Sequence, residues 1–127
     1  MPFHKATAVT LALTAGLFLS AVAQAHPRLL SSTPAEGADG VAPSSIALHF
    51  SEQLTTQFSG AKLIMTDMPG MPNSTMGVQA AVAPGGDPKT MIITPAAPLT
   101  TGTYKVEWRA VSSDTHPITG SFSFKVK

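Results

Sequence analysis

The fold is decided by residues 102–126, which read GTYKVEWRAVSSDTHPITGSFSFKV. Apolar and polar residues alternate on both sides of the central SSDTHP segment. In an extended chain, residues two apart point to the same side, so this alternation predicts two half-buried β-strands. The first covers residues 104–111 and the second the end of the chain. The apolar positions that define them are Tyr104, Val106, Trp108, Ala110, Phe122, Phe124 and Val126.

The rest of the chain shows the same pattern in shorter runs. Residues 46–50, 61–65 and 91–93 predict strands, residues 78–82 a weaker one, and Leu29 and Leu30 a short first strand. Helical periodicity is nearly absent, and about one residue in six is Gly or Pro, which suits a turn-rich β protein. We therefore predict an all-β fold: a small antiparallel Greek-key β-barrel or sandwich, immunoglobulin-like or cupredoxin-like, of about seven strands.

Composition excludes several classes of protein. The 127 residues suffice for one domain, and 12% charged residues with a net charge of +1 argue against nucleic-acid binding. Because cysteine is absent, disulfides, thiolate zinc sites, iron–sulfur clusters and a Cys nucleophile are excluded. A hydrophobic content of 43% is too high for a disordered chain.

Residues 1–25 are predicted to be a cleaved secretory signal peptide. Lys5 is basic, residues 6–19 are mostly apolar, and residues 23–25 (AQA) form a small-x-small cleavage site. A membrane anchor is the alternative, but the apolar run is shorter than the roughly 20 residues that a span needs. We expect residues 26–127 to form an exported, monomeric domain without stable membrane insertion.

Cleavage after Ala25 makes His26 the first residue, so its free α-amine and its imidazole form a possible bidentate chelator. Pro27 has no N–H, so a metal ion cannot recruit the next peptide nitrogen, and further ligands must come from elsewhere in the fold. The alternative is that His26 is a frayed terminal residue. Asp114 and His116 are two residues apart, so their side chains point the same way in an extended chain. They are therefore candidates for the further metal ligands.

Together these groups supply three nitrogens and one oxygen, the tetragonal N,O set that Cu(II) prefers. Glu52, just past the strand over residues 46–50, can add an oxygen or a hydrogen bond to a ligand imidazole. A surface hydrogen-bonded pair is the alternative for Asp114 and His116. A hydrolase triad with Ser112 is disfavoured, because three sequence neighbours do not converge around a substrate. His49 is interpreted as a surface histidine outside any site.

Four methionines lie within twelve positions, in a segment broken by Pro69, Gly70 and Pro72 that cannot form a regular helix. Thioethers are soft neutral donors that suit Cu(I), so the segment is a candidate Cu(I) site. A methionine-lined hydrophobic patch for a partner is the alternative. The candidate ligands are Met65, Met68, Met71 and Met76.

These features together resemble the CopC family of periplasmic copper-binding proteins, over essentially the whole of residues 26–127. The segments that carry the resemblance are residues 26–29 (HPRL), 32–37 (STPAEG), 49–52 (HFSE), 58–63 (FSGAKL), the methionine segment 65–76, and residues 102–106 and 108–120.

The resemblance implies a Greek-key β-barrel in the periplasm with two copper sites at opposite ends. Cu(II) would bind the His26 amine and imidazole, Asp114 and His116, with Glu52 close by, and Cu(I) would bind the four methionines. Family members with both sites often carry a histidine in the methionine segment. Here Asn73 stands nearest, so we expect Cu(I) binding by thioethers alone, weaker or more labile.

The function implied is a non-enzymatic copper carrier for resistance or homeostasis that exchanges copper with other periplasmic and inner-membrane copper-handling proteins. Two other classes are open to test. A copper oxygenase that attacks polysaccharides also uses an N-terminal histidine, but this chain has few aromatic residues for a binding face. A metal-free immunoglobulin-like interaction module would leave the His, Asp and Met pattern as coincidence.

Overall fold

A computed structural model describes residues 26–67, 70–71 and 74–127. The predicted signal peptide and Met68 lie outside these ranges. The described chain forms nine strands, and none of its elements is a helix. The strands are β1 Leu29–Thr33, β2 Asp39–Gly40, β3 Ile46–Phe50, β4 Gly60–Asp67, β5 Met76–Val78, β6 Ala80–Pro84, β7 Thr90–Pro95, β8 Gly102–Val111 and β9 Pro117–Val126.

The strands form two sheets that share one core. One sheet has the order β1-β3-β7-β6 and the other the order β2-β9-β8-β4-β5. Neighbouring strands are antiparallel except for the short β2, which runs parallel to β9. Buried side chains from β3 and β7 meet those from β4, β8 and β9 in a single hydrophobic cluster. The predicted all-β sandwich is therefore confirmed.

The strand count differs from the prediction of about seven for two reasons. The run over residues 78–82 is two strands in different sheets, because β5 pairs with β4 whereas β6, beginning one residue after Gln79, pairs with β7. β2 contains only two residues, so it shows no alternation that a sequence pattern could reveal. Along the described chain, no helix is long and apolar enough to cross a membrane.

The hairpin of β8 and β9 is the longest element, paired from Gly102 and Val126 at one end to Val111 and Pro117 at the other. Trp108 points into the core, as the alternation predicts, and packs edge-on against Phe50 with ring centroids 5.2 Å apart. Ten residues of strand extend about 30 Å. The hairpin therefore separates the turn over residues 112–116 from the Gly102 end by about 30 Å.

Candidate metal centre

The turn between β8 and β9 places Asp114 and His116 at one end of the sandwich. The Thr115 N–H donates to the Ser112 carbonyl at 3.0 Å, which closes the turn. Thr115 has a φ of +66°, a conformation that is rare for a β-branched residue. Strained backbone of this kind concentrates at functional sites, so the turn is a place to look for one.

The N-terminal segment reaches the same end of the molecule because it is fastened to the end of β3. Pro27 is fully buried. Next to it, the Arg28 N–H donates to the Ser51 hydroxyl and the Ser51 N–H donates to the Arg28 carbonyl, both at 2.9 Å. These contacts hold His26 against the turn over residues 112–116.

The three predicted side chains His26, Asp114 and His116 come together here. Each offers one ligand atom, and these atoms lie within 4.8 Å of one another. His26 Nδ1 is 2.7 Å from Asp114 Oδ2, and the two imidazole centroids are 5.9 Å apart. The His26 side chain is 51% exposed and that of Asp114 is 18% exposed, so the cluster is reachable from solvent.

The two oxygens of Asp114 have different surroundings. Oδ1 accepts hydrogen bonds from the Ser112 hydroxyl at 2.9 Å and from the His116 N–H at 3.2 Å. Oδ2 is buried without a hydrogen-bond partner and lies 2.7 Å from His26 Nδ1. When two ligand atoms each lie about 2 Å from one metal ion and the angle between them at the ion is a right angle, they are about 2.8 Å apart. The contact therefore fits a shared metal ion.

The surroundings of Asp114 favour its charged form. Partial desolvation raises the pKa of this carboxyl group, but hydrogen bonds from Ser112 and from the His116 backbone, and the charges of His26 and His116, lower it by more. The net effect is a pKa below the ordinary value. Asp114 is therefore an ionised oxygen donor at neutral pH, as a metal ligand must be.

The other predicted ligands lie elsewhere. Glu52 is half-buried just past β3 and is not part of the three-residue cluster. Met65 is only 5% exposed and belongs to the core, whereas Met71 and Met76 are 57% and 51% exposed. Met65 lies directly opposite Met76 in the β4–β5 pair and opposite Tyr104 near the start of β8. Met65 and Met76 thus lie near the Gly102 end, far from His116.

Two further polar side chains have surroundings that the sequence did not predict. Ser112, a candidate only for a disfavoured nucleophile, is buried and its hydroxyl donates to Asp114 Oδ1. The Ser-x-Asp spacing was the signal, since Ser hydroxyls commonly bond polar groups two residues away. His49, interpreted as a surface residue, is half-buried with its Nδ1 3.1 Å from the Thr90 hydroxyl.

Comparisons with known proteins agree with this architecture. Copper resistance protein C from Pseudomonas syringae pv. tomato is 69% identical over 127 residues and covers all of both chains. Copper resistance protein C from Escherichia coli is 58% identical over 118 residues, or 91% of this chain and 94% of that protein. The crystal structure of PcoC, a methionine-rich copper resistance protein from E. coli, superimposes with a TM-score of 0.76 at 59% identity, over 81% of this chain and 100% of that one.

The sequence profile of the CopC domain matches residues 29–127, which include every described strand. Two relatives that match nearly end to end carry one name, and a solved structure shares the fold at high identity. The resemblance seen in the sequence is thereby confirmed, and the chain belongs to the CopC domain family.

Proposed function

We propose that this protein is a periplasmic copper carrier that serves copper resistance and binds Cu(II) at the cluster of His26, Asp114 and His116. The observation that carries the proposal is the convergence of two imidazoles and one carboxylate, with ligand atoms within 4.8 Å, at an exposed end of the domain. Family relatives named Copper resistance protein C support the choice of metal.

The fourth equatorial donor is the α-amine of His26, which becomes free when residues 1–25 are removed. Three nitrogens and one carboxylate oxygen form the tetragonal set that Cu(II) prefers. Because Pro27 has no N–H, the chain contributes no further amide nitrogen at its start. With three nitrogens and the Asp114 oxygen as donors, no equatorial place would be left for oxygen chemistry, which favours a carrier over an oxygenase. Glu52 is proposed to act near this site, as a further oxygen or a hydrogen-bond partner.

A second site is proposed for Cu(I) at Met65, Met68, Met71 and Met76. Neutral thioethers select Cu(I), and their binding does not compete with protons. Support comes from the register, because residues directly opposite in an antiparallel pair project to the same face, which places Met65 and Met76 together. The exposure of Met71 and Met76 leaves them accessible to an incoming ion. The oxidation state of copper would then determine which site exchanges it with other periplasmic and inner-membrane copper proteins.

The first test is a Cu(II) titration followed by EPR on two proteins, one beginning at His26 and one with an extra Ala before it. We expect one tight tetragonal nitrogen-rich site in the first and an altered or absent site in the second. The matched control, His49→Ala in the first protein, should leave the spectrum unchanged. Equal spectra with and without the extra Ala would contradict the amine ligand.

A pH titration of Cu(II) affinity checks the same ligands independently. Imidazoles and α-amines in general take up protons between about pH 8 and pH 6, and protons compete with the metal for these nitrogens. Affinity should therefore fall steeply below about pH 6. Affinity unchanged down to pH 4 would contradict a nitrogen-rich site.

A further inference from the structure

Ser112 is a buried polar side chain directly next to the proposed Cu(II) site. It is only 3% exposed, whereas its neighbour Ser113 is exposed. Its hydroxyl donates to Asp114 Oδ1 at 2.9 Å. A buried hydroxyl needs a partner, because leaving it unpaired is costly, and the partner here is a carboxylate oxygen that also accepts a hydrogen bond from the His116 N–H.

The hydrogen bond gives the two carboxylate oxygens of Asp114 different surroundings. Oδ1 is occupied by the Ser112 hydroxyl and the His116 N–H, whereas Oδ2 is unpartnered and 2.7 Å from His26 Nδ1. Without the hydroxyl, one donor remains to Oδ1, and the carboxylate can turn to offer either oxygen or both.

The position of the hydroxyl is itself well determined. Val111, the preceding residue, is tied to the segment before β4, because the Thr55 N–H donates to its carbonyl at 2.7 Å and its own N–H donates to the Ser59 hydroxyl at 3.0 Å. The turn bond from the Thr115 N–H uses the backbone carbonyl of Ser112, not its side chain. Removal of the hydroxyl should therefore leave the fold of the turn in place.

We propose that Ser112 is a positioning residue that makes Asp114 a single-oxygen ligand, by holding Oδ1 away from the metal and presenting Oδ2 to it. This inference rests on the proposed Cu(II) function. Hydrogen-bond partners of metal ligands fix ligand orientation, and their removal typically costs 10- to 100-fold in metal affinity. Ser112→Ala should lower the affinity by that factor and change the EPR parameters of the bound Cu(II).

The experiment compares Ser112→Ala with Ser113→Ala in the chain that begins at His26. Cu(II) affinity is measured by competition with a chelator, and EPR is recorded at one equivalent of metal. Ser113→Ala should match the parent in both measurements. The melting temperature and near-ultraviolet circular dichroism of the metal-free variants report on folding. If Ser112→Ala does not fold, Ser112→Thr and Ser112→Val form a near-isosteric pair that adds no metal ligand: Ser112→Thr keeps the hydroxyl donor and should retain the affinity, whereas Ser112→Val lacks it and should weaken binding.

A double-mutant cycle separates positioning from general support of the turn. In an Asp114→Ala background, Ser112→Ala should cause no further loss, because the residue acts only through Asp114. An equal loss in both backgrounds, or an unchanged affinity and spectrum in Ser112→Ala, would overturn the proposal. Absence of Cu(II) binding by the parent chain would instead refute the proposed function, and this inference with it.

Discussion

The two ends of β8 contain different candidate sites, and they are built differently. At the Val111 end, Asp114 is held by two hydrogen bonds and lies 2.7 Å from His26. At the Gly102 end, Met65 is buried by packing, whereas Met76, directly opposite, is half exposed. Metal-ligand atoms on side chains that accept hydrogen bonds can be oriented by those bonds before a metal ion arrives.

Thioethers accept hydrogen bonds only weakly, so backbone position and packing alone determine where they lie. A site of carboxylate and imidazole can therefore be preassembled by its surroundings, as the cluster of His26, Asp114 and His116 is. The geometry of a methionine site depends more on the bound ion than that of a carboxylate and imidazole site does. The difference predicts that the two ends respond separately to substitution and to the oxidation state of copper.

The largest expected effect tests that separation directly. His116→Ala should reduce Cu(II) affinity by more than about 100-fold, since loss of a ligand costs more than the 10- to 100-fold typical of its hydrogen-bond partners. Its Cu(I) affinity should stay unchanged. Met76→Leu should do the reverse, with Cu(I) affinity reduced and Cu(II) affinity intact. Competition titrations with oxidation-state-specific chelators, anaerobic for Cu(I), measure both, and loss of both affinities in either variant would contradict two independent sites.

The next effect concerns the hairpin that carries the His–Asp–His end. A Cβ added at Gly120 would lie 2.4 Å from Cζ2 of Trp108, a rigid ring that is itself packed on Phe50. Gly120→Ala should therefore lower the free energy of unfolding by about 1–3 kcal/mol, the usual cost of overpacking a core. Gly86→Ala, with open space at its Cβ, is the matched control and should change it by less than about 0.5 kcal/mol. Denaturant unfolding measures both, and equal stabilities would show that Trp108 can move aside.

Much of this architecture could be predicted from local pattern. Alternation in β3, β4, β8 and β9 identifies the strands and places Trp108 in the core, because the period of two reports which face is buried. Met65, two residues after the buried Leu63, follows the same alternation and lies in the core, although its residue type led to its prediction as a Cu(I) ligand. The division at Gln79 could not be predicted, because β5 and β6 are exposed edge strands, and membership of a sheet depends on distant partners.

The candidate site was only partly predictable. Residue chemistry and spacing selected His26, Asp114 and His116, and the structure brings all three together. The role of Ser112 depends on its burial and on the turn geometry, which sequence spacing does not determine. Glu52 is the opposite case. A carboxylate just past the end of a strand is a candidate ligand in the sequence, but in the structure Glu52 is not part of the three-residue cluster.

Asp114 should also make a small contribution to the acid stability of the metal-free protein. The pKa of Asp114 is lower in the folded chain than its ordinary value, so between the two pKa values the unfolded state binds more protons. The free energy of unfolding therefore rises with pH across this interval. This contribution is fully present above the ordinary carboxyl pKa of about 3.9 and is lost as the pH falls through the folded value.

Asp114→Asn should remove that contribution. The difference in stability between the parent and this variant should be constant from about pH 5 to 6 and shrink as the pH falls below about 4. Asp39→Asn, at an exposed carboxylate in β2, is the control for the loss of one acidic side chain. Thermal unfolding over this pH range makes the measurement. A difference independent of pH for Asp114→Asn would mean that the hydrogen bonds to Oδ1 do not favour the ionised form of Asp114.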